Sequence, residues 1–319
     1  MYHDLTLRDG SHAIGHKLTV ETIENYCKFA ETAGISVIEV GHGNGLGASS
    51  LLIGESLHSD YEMLQVARRH LKKTKLSVHI MPGIATIFKD IDQAIYIGVD
   101  IFRVASYCTE ASLTKSHIEY LSTKNKTVLG VLMMSALCSP EVLLEEATKM
   151  KTYGASGIVI MDSTGSFLPH DVSIRIKKLT TLDIPIGFHG HNNMHLAVAN
   201  SLAAIESGAS IIDVTMRGFG AGAGNTPLEV MEILKPSNLD FKEIINYCDT
   251  FEFSPPLCKP VNLLTAKYKL FSGFEKHILE VSKKYNVPMF TLVKKLGESN
   301  LVAGQEDLVR IIAQSLMTL

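Results

Sequence analysis

The chain has 319 residues, 46% of them hydrophobic and 20% charged, with a formal charge of −3 at neutral pH. This composition excludes a disordered polyelectrolyte, and the mild acidity excludes a large nucleic-acid surface. No apolar run reaches the roughly 18 residues a membrane span needs, and the opening MYHDLTLRDG lacks a basic-then-apolar leader, so a cytoplasmic protein without membrane or nucleic-acid partners is expected. Five cysteines at positions 27, 108, 138, 248 and 258 form no CxxC pair and read as reduced thiols.

Along the chain, short β-rich runs bounded by Gly, Pro, Asn or Asp alternate with helical patterns. The predicted strands are Tyr2–Leu7, Val37–Gly41, Leu76–Met81, Ile101–Ser106, Thr127–Met134, Gly157–Asp162, Ile186–His191 and Ile211–Met216. Between them lie helical stretches such as Thr19–Ala33, Asp60–Lys72, Glu141–Tyr153, His195–Glu206 and Leu228–Leu234, several followed by a glycine suited to a C-cap. Eight strand–helix repeats with continuous apolar strands favour an α/β fold that closes into a TIM (β/α)8 barrel, which alone takes about 250 residues.

After Lys235-Pro236 the pattern becomes purely helical: Phe241–Thr250, Leu263–Phe271, Glu275–Lys284, Pro288–Leu296 and Glu306–Leu316. The expected organisation is a barrel domain over 1–236 and a helical C-terminal domain over 237–319.

Chemistry on such a barrel sits just beyond the C-terminal ends of the strands. Strand one ends in LRDGSH, which delivers Arg8, Asp9 and His12 around a glycine; strand seven ends in FHGHNN. Residues i and i+2 of a strand share a face, so His189 and His191 aim two imidazoles at one point. Asp9 would add an anionic oxygen, and two histidines with one carboxylate leave coordination positions open on a divalent cation. Nitrogen and oxygen donors without thiolate suit Mn²⁺, Co²⁺, Fe²⁺ or Zn²⁺, and Mg²⁺ less well. Singly, LRDG reads equally well as a surface ion pair and HGH as two turn histidines; their joint position after strands one and seven is what points to a site. Glycine-rich GHGNGLGASS (41–50), MDSTGS (161–166) and RGFGAGAGNTPLE (217–229) follow strands two, six and eight, where backbone N–H groups can approach an anion.

Together, LRDGSH, GHGNGLGASS, DSTG, FHGHNN, RGFGAGAGNTPLE and GQED (304–307) resemble the 4-hydroxy-2-oxovalerate aldolase family, a branch of the DRE-TIM metallolyases. The resemblance spans nearly the whole chain. It implies a metal-dependent lyase that cleaves a 4-hydroxy-2-oxo acid to pyruvate and an aldehyde, or runs the reverse condensation. It also implies a metal, usually Mn²⁺ with Co²⁺, Mg²⁺ or Zn²⁺ as alternatives, on Asp9, His189 and His191. Arg8 would stabilise enolate charge, His12 would be the acid–base residue, and Arg8, Ser163 and His189 would contact substrate. Relatives that condense acyl-CoA carry glutamine where His12 stands, which favours the aldolase branch over a Claisen-type synthase; a non-catalytic metal-binding partner subunit is the third reading. The resemblance further implies a catalytic barrel, an oligomer, and an acylating aldehyde dehydrogenase as partner, with the helical domain over 237–319 as its docking region. Two departures stand out: AKYKLFSGF (266–274) replaces the family's GYxGVYSSF-like segment, offering Tyr268 displaced and Phe271 in the later tyrosine's place, and in the loop carrying His42, Asn44 replaces a commoner aspartate.

Overall fold

In a computed structural model, which describes residues 1–299, 301–302 and 304–318, eight parallel strands close into a barrel in chain order. They are β1 (Tyr2–Asp4), β2 (Val37–Glu39), β3 (Lys75–Ile80), β4 (Ile101–Tyr107), β5 (Thr127–Met133), β6 (Gly157–Asp162), β7 (Ile186–Gly190) and β8 (Ile211–Val214). The ring shuts where β1 pairs β8, with His3 opposite Asp213. Helices α1 (Val20–Ala33), α2 (Asp60–His70), α3 (Asp92–Ile97), α4 (Lys115–Thr123), α5 (Pro140–Tyr153), α6 (Pro169–Leu179), α7 (Ala197–Glu206) and α8 (Leu228–Leu234) follow the strands one by one.

The helix ends follow from local chemistry. The Thr19 hydroxyl accepts the Thr22 N–H to start α1, Ser59 and Glu62 form a reciprocal capping box on α2, and Ser139 caps α5 ahead of Pro140. The stretch predicted from His195 starts two residues later, at Ala197, because His195 adopts a left-handed φ of 59°. No helix is long and apolar enough to cross a membrane among the described residues.

Strand one is shorter than its apolar letters suggest. The Asp4 carboxylate accepts the Thr6 N–H at 2.8 Å and the Tyr26 hydroxyl at 2.6 Å, and the Arg8 and Asp9 N–H groups both return to the Leu5 carbonyl. The chain therefore turns after Asp4, carrying Arg8 and Asp9 over the barrel mouth. At the far end of the sheet, β8 stops at Val214 because the Thr215 N–H donates to Thr226 and the Leu228 N–H to Thr215, folding the glycine loop back on the strand.

Inside the barrel, alternation along each strand builds layers. Val37, Ile101, Leu129, Val159 and Ile211 form an apolar layer. Two positions on from three of them stand Glu39, Arg103 and Asp213, all buried, so strands that read as continuous apolar runs carry a charged stratum inward.

Beyond the barrel, α9 (Phe241–Thr250) packs on α1 and α8, with the Tyr247 and Phe29 rings stacked at 4.1 Å. Helices α10 (Pro260–Lys267), α11 (Glu275–Tyr285), α12 (Met289–Glu298) and α13 (Glu306–Ser315) enclose a second core around Phe274, Ile278, Leu292 and Val309. The helix expected over Leu263–Phe271 lies earlier, because Lys269 takes a left-handed φ of 53° and ends it. Phe271 is thereby freed onto a turn.

Asn193 joins the two cores. Its amide donates to the Asn262 carbonyl (3.2 Å) and the Thr265 hydroxyl (3.1 Å), and its oxygen accepts from Ser272 (2.9 Å). An unsatisfied buried polar group costs about 1–3 kcal/mol. Asn193→Ala is expected to lower the unfolding free energy in urea by at least that amount and to speed limited proteolysis in the 252–259 connector; unchanged proteolysis would show that the joint lies elsewhere.

Candidate active site

Asp9, His189 and His191 converge at the barrel mouth. One potential ligand atom from each lies within 4.8 Å of the others, and all three side chains are buried. His189 is oriented by Asp213, whose Oδ2 lies 3.1 Å from Nδ1. A carboxylate there places the proton on Nδ1 and leaves the Nε2 lone pair facing the cluster. That Nε2 lies 3.4 Å from His191 Nε2, and His191 Nδ1 has no hydrogen-bond partner.

Burial pushes the His191 pKa down to about 3, so its imidazole is neutral at physiological pH. For Asp9, burial alone would raise the pKa, but Arg8 and the neighbouring histidines hold the carboxyl well below the usual carboxylate range. Two imidazoles facing each other beside an ionised carboxylate are a nitrogen and oxygen donor set that fits a divalent metal.

Asp9 is held on both oxygens. Oδ1 accepts from Arg8 Nη1 at 2.9 Å; Oδ2 accepts the Asn225 amide at 2.6 Å and the Ala221 N–H at 3.1 Å. The glycine loop after β8 thus holds the Asp9 carboxylate from outside. Gly220 is required there because a Cβ would lie 2.1 Å from Asn225 Nδ2 and 2.7 Å from Asp9 Oδ2. Arg8 also donates Nε to Glu39 at 2.5 Å and Nη1 to the Gly43 carbonyl at 3.2 Å; its Nη2 is buried without a partner. Burial would raise the Glu39 pKa, yet Arg103 and Arg8 bring it down to about 2.

His12 stands on the wall of a cavity of about 850 Å³ that opens between the barrel mouth and the C-terminal helices, lined also by Asn44, Leu52, Phe219, Phe271 and Lys276. Gly43 packs so closely on the His12 ring that a Cβ would come within 2.5 Å of it. Burial lowers the His12 pKa, with Asp9 opposing. His12 meets His16 edge-on at 4.9 Å between ring centres and Phe271 at 6.3 Å.

Ser163 is buried, its hydroxyl accepting the Met134 N–H at 2.9 Å. The His42 ring is occupied within its own loop, stacked on His16 at 3.6 Å and hydrogen-bonded to Gly54 and Asn44. Tyr268 does not reach the cavity wall; it packs against Phe290 in the C-terminal core, whereas Phe271 faces His12.

Glu39, Arg103, Asp213 and Asn225 escape the strand-end reading. The available signal was a single charged letter inside each of VIEV, IFRV and IIDV, since an unpaired charge is not buried in an apolar strand. Asn225→Ala, which removes the amide on Asp9, is expected to weaken Mn²⁺ binding about 10–100-fold, the usual effect of losing a partner that orients a ligand. Titration of metal-stripped protein followed by the electron paramagnetic resonance of free Mn²⁺ reads this directly; equal affinity would show that the Asn225 amide does not orient Asp9 for the metal.

A family model described as HMGL-like matches residues 1–251, and one described as a DmpG-like communication domain matches residues 258–318. Among similar proteins, the 4-hydroxy-2-oxovalerate aldolase of Pectobacterium atrosepticum is 48% identical, covering 98% of this chain and 94% of the relative. That of Spirochaeta aurantia is 46% identical over 96% and 93% of the two chains. Among solved structures, the carboxyl transferase domain of Rhizobium etli pyruvate carboxylase, solved with pyruvate and biocytin, superposes with a TM-score of 0.82 at 16% identity, covering all of this chain and 60% of that one. The N-terminal domain of a putative aldolase from Bacteroides vulgatus superposes at 0.74 with 22% identity, over 89% and 97% of the two chains. At such identities these two structures establish the fold alone.

Proposed function

This chain belongs to the 4-hydroxy-2-oxovalerate aldolase family, and we propose that it is a divalent-metal-dependent carbon–carbon lyase that cleaves a 4-hydroxy-2-oxo acid, such as 4-hydroxy-2-oxovalerate, to pyruvate and an aldehyde, or joins them in reverse. The observation that carries this reading is the convergence of Asp9, His189 and His191 beside the unpartnered Nη2 of Arg8, with His12 on the adjoining cavity wall.

Asp9, His189 and His191 would hold the ion, with Mn²⁺ the proposed occupant. Bound there, a divalent metal supplies Lewis acidity toward the keto oxygen of a 2-oxo acid. His12, kept neutral by burial, takes the proton of the C4 hydroxyl. The C4–O electrons then form the aldehyde carbonyl while the C3–C4 pair passes into the pyruvate enolate. Negative charge grows on the keto oxygen in that step, and the free N–H of Arg8 is the protein donor available to meet it. A proton delivered to C3 completes pyruvate. Ser163, between the Met134 N–H and the turn carrying Ser272, would position the substrate.

The aldehyde leaves into a cavity whose outer wall includes residues of the C-terminal helices. Because residues 258–318 match a communication domain, these helices are the proposed docking surface for an acylating aldehyde dehydrogenase.

Metal-stripped protein should release pyruvate from racemic 4-hydroxy-2-oxovalerate only when Mn²⁺ is restored. His12→Ala should keep Mn²⁺ affinity and lose about 10²–10⁴-fold in kcat, whereas His191→Ala should lose the metal itself. Equal turnover by the stripped and the Mn²⁺-restored protein would refute metal dependence; tight Mn²⁺ binding without turnover of this or longer-chain substrates would favour a non-catalytic barrel.

A further inference from the structure

Arg103 has no part in the chemistry above, yet it is the largest fully buried side chain among the described residues. It projects from the middle of β4 into the barrel and meets two carboxylates. Nε lies 3.2 Å from Glu39 Oε2, an ion-pair contact in which neither atom makes a hydrogen bond, and Nη1 donates to Asp213 Oδ1 at 2.9 Å while Nη2 donates to Oδ2. Both carboxylates have a second task. Glu39 Oε1 receives Arg8 Nε at 2.5 Å, and Asp213 Oδ2 faces His189 Nδ1 at 3.1 Å. A chain of charged groups therefore runs Arg8–Glu39–Arg103–Asp213–His189, hydrogen-bonded at every link except Glu39–Arg103, which is an ion pair alone. Glu39 and Asp213 come from β2 and β8, which are separated by β1, so the guanidinium is what connects them.

Three features make this more than a plug in the barrel. Buried ion pairs are weak contributors to stability compared with well-packed apolar groups, and the layer beneath is already apolar. The fork of a guanidinium can serve two carboxylates in fixed directions, which an ammonium cannot. The charge balance is also specific: Arg8 and Arg103 face Asp9, Glu39 and Asp213, two positive against three negative, so the set carries one net negative charge. A divalent cation suits that residue of charge, and loss of Arg103 would leave two carboxylates facing each other across the barrel interior.

We propose that Arg103 is a positioning residue that couples the two halves of the site, holding Arg8 through Glu39 and the ligating tautomer of His189 through Asp213. This rests on the metal reading of Asp9, His189 and His191. It implies that the substrate-facing guanidinium and the metal-facing imidazole are set together by one side chain touching neither substrate nor metal.

A double-substitution cycle tests the coupling, with Mn²⁺ alone as probe and the electron paramagnetic resonance of the free ion as readout. Glu39→Gln and Asp213→Asn each preserve shape. Asp213→Asn is expected to weaken Mn²⁺ binding about 10–100-fold, and the doubly substituted protein to lose clearly less than the product of the two single losses, because release of either carboxylate already frees the fork. Arg103→Lys, which keeps the charge but reaches one carboxylate at a time, is expected to remain folded, to weaken Mn²⁺ binding about tenfold or more, to lower kcat more than it raises KM, and to abolish the non-additivity.

Multiplicative losses in the cycle would overturn the proposal, as would a folded Arg103→Lys protein with wild-type affinity. Should Arg103→Lys fail to fold, the cycle between Glu39 and Asp213 decides alone. Wild-type protein that binds no Mn²⁺ would sink the metal reading itself, an outcome distinct from binding with additive losses.

Discussion

The structure depends on how it buries ionised groups inside a β-barrel. Arg8, Asp9, Glu39, Arg103 and Asp213 are all nearly inaccessible to water, in an interior where an isolated charge costs several kcal/mol or more. Each is tolerated because it is paired: Arg8 with Asp9 and Glu39, Arg103 with Glu39 and Asp213. The pairing also removes freedom from the groups it satisfies. Arg8 cannot swing away from the mouth without leaving the buried Oε1 of Glu39 without its donor, and His189 keeps its Nε2 toward the cluster because Asp213 occupies its other nitrogen. The electrostatic cost of the interior thus becomes preorganisation of the site above it.

Preorganisation extends outward through backbone. The tight turn after β1, closed by Asp4 and the Leu5 carbonyl, sets Arg8 and Asp9; the glycine loop after β8 returns to hold the other Asp9 oxygen; the loop after β2 lays Gly43 against His12. Asn193, two residues beyond His191, binds three groups of the C-terminal helices. The same short segment therefore carries a metal-ligand candidate and the joint to the second core, giving the helical unit a direct mechanical path to the site.

Much of this was legible in the sequence, for identifiable reasons. Strand periodicity makes the barrel readable, and the two-residue spacing of His189 and His191 alone puts both imidazoles on one face. Arg8 and Asp9 stood out because they follow an apolar run at a glycine turn. Asn225 was not readable as a partner of Asp9, 216 residues away, because only barrel closure brings them together. Glu39, Arg103 and Asp213 were hidden in runs whose apolar neighbours dominate the pattern, and their partners lie on non-adjacent strands. The fate of Tyr268 and Phe271 hinged on where α10 stops, which a left-handed Lys269 decides and composition does not reveal.

The proposed function requires this barrel to form a pyruvate enolate with help from a divalent metal on Asp9, His189 and His191. The most direct measurement is exchange of the pyruvate methyl protons in D₂O with no aldehyde present, followed by mass spectrometry after quenching. The expected result is Mn²⁺-dependent deuterium incorporation that disappears in metal-stripped protein and in His191→Ala. Exchange no faster than in buffer, from protein shown to hold Mn²⁺, would contradict it.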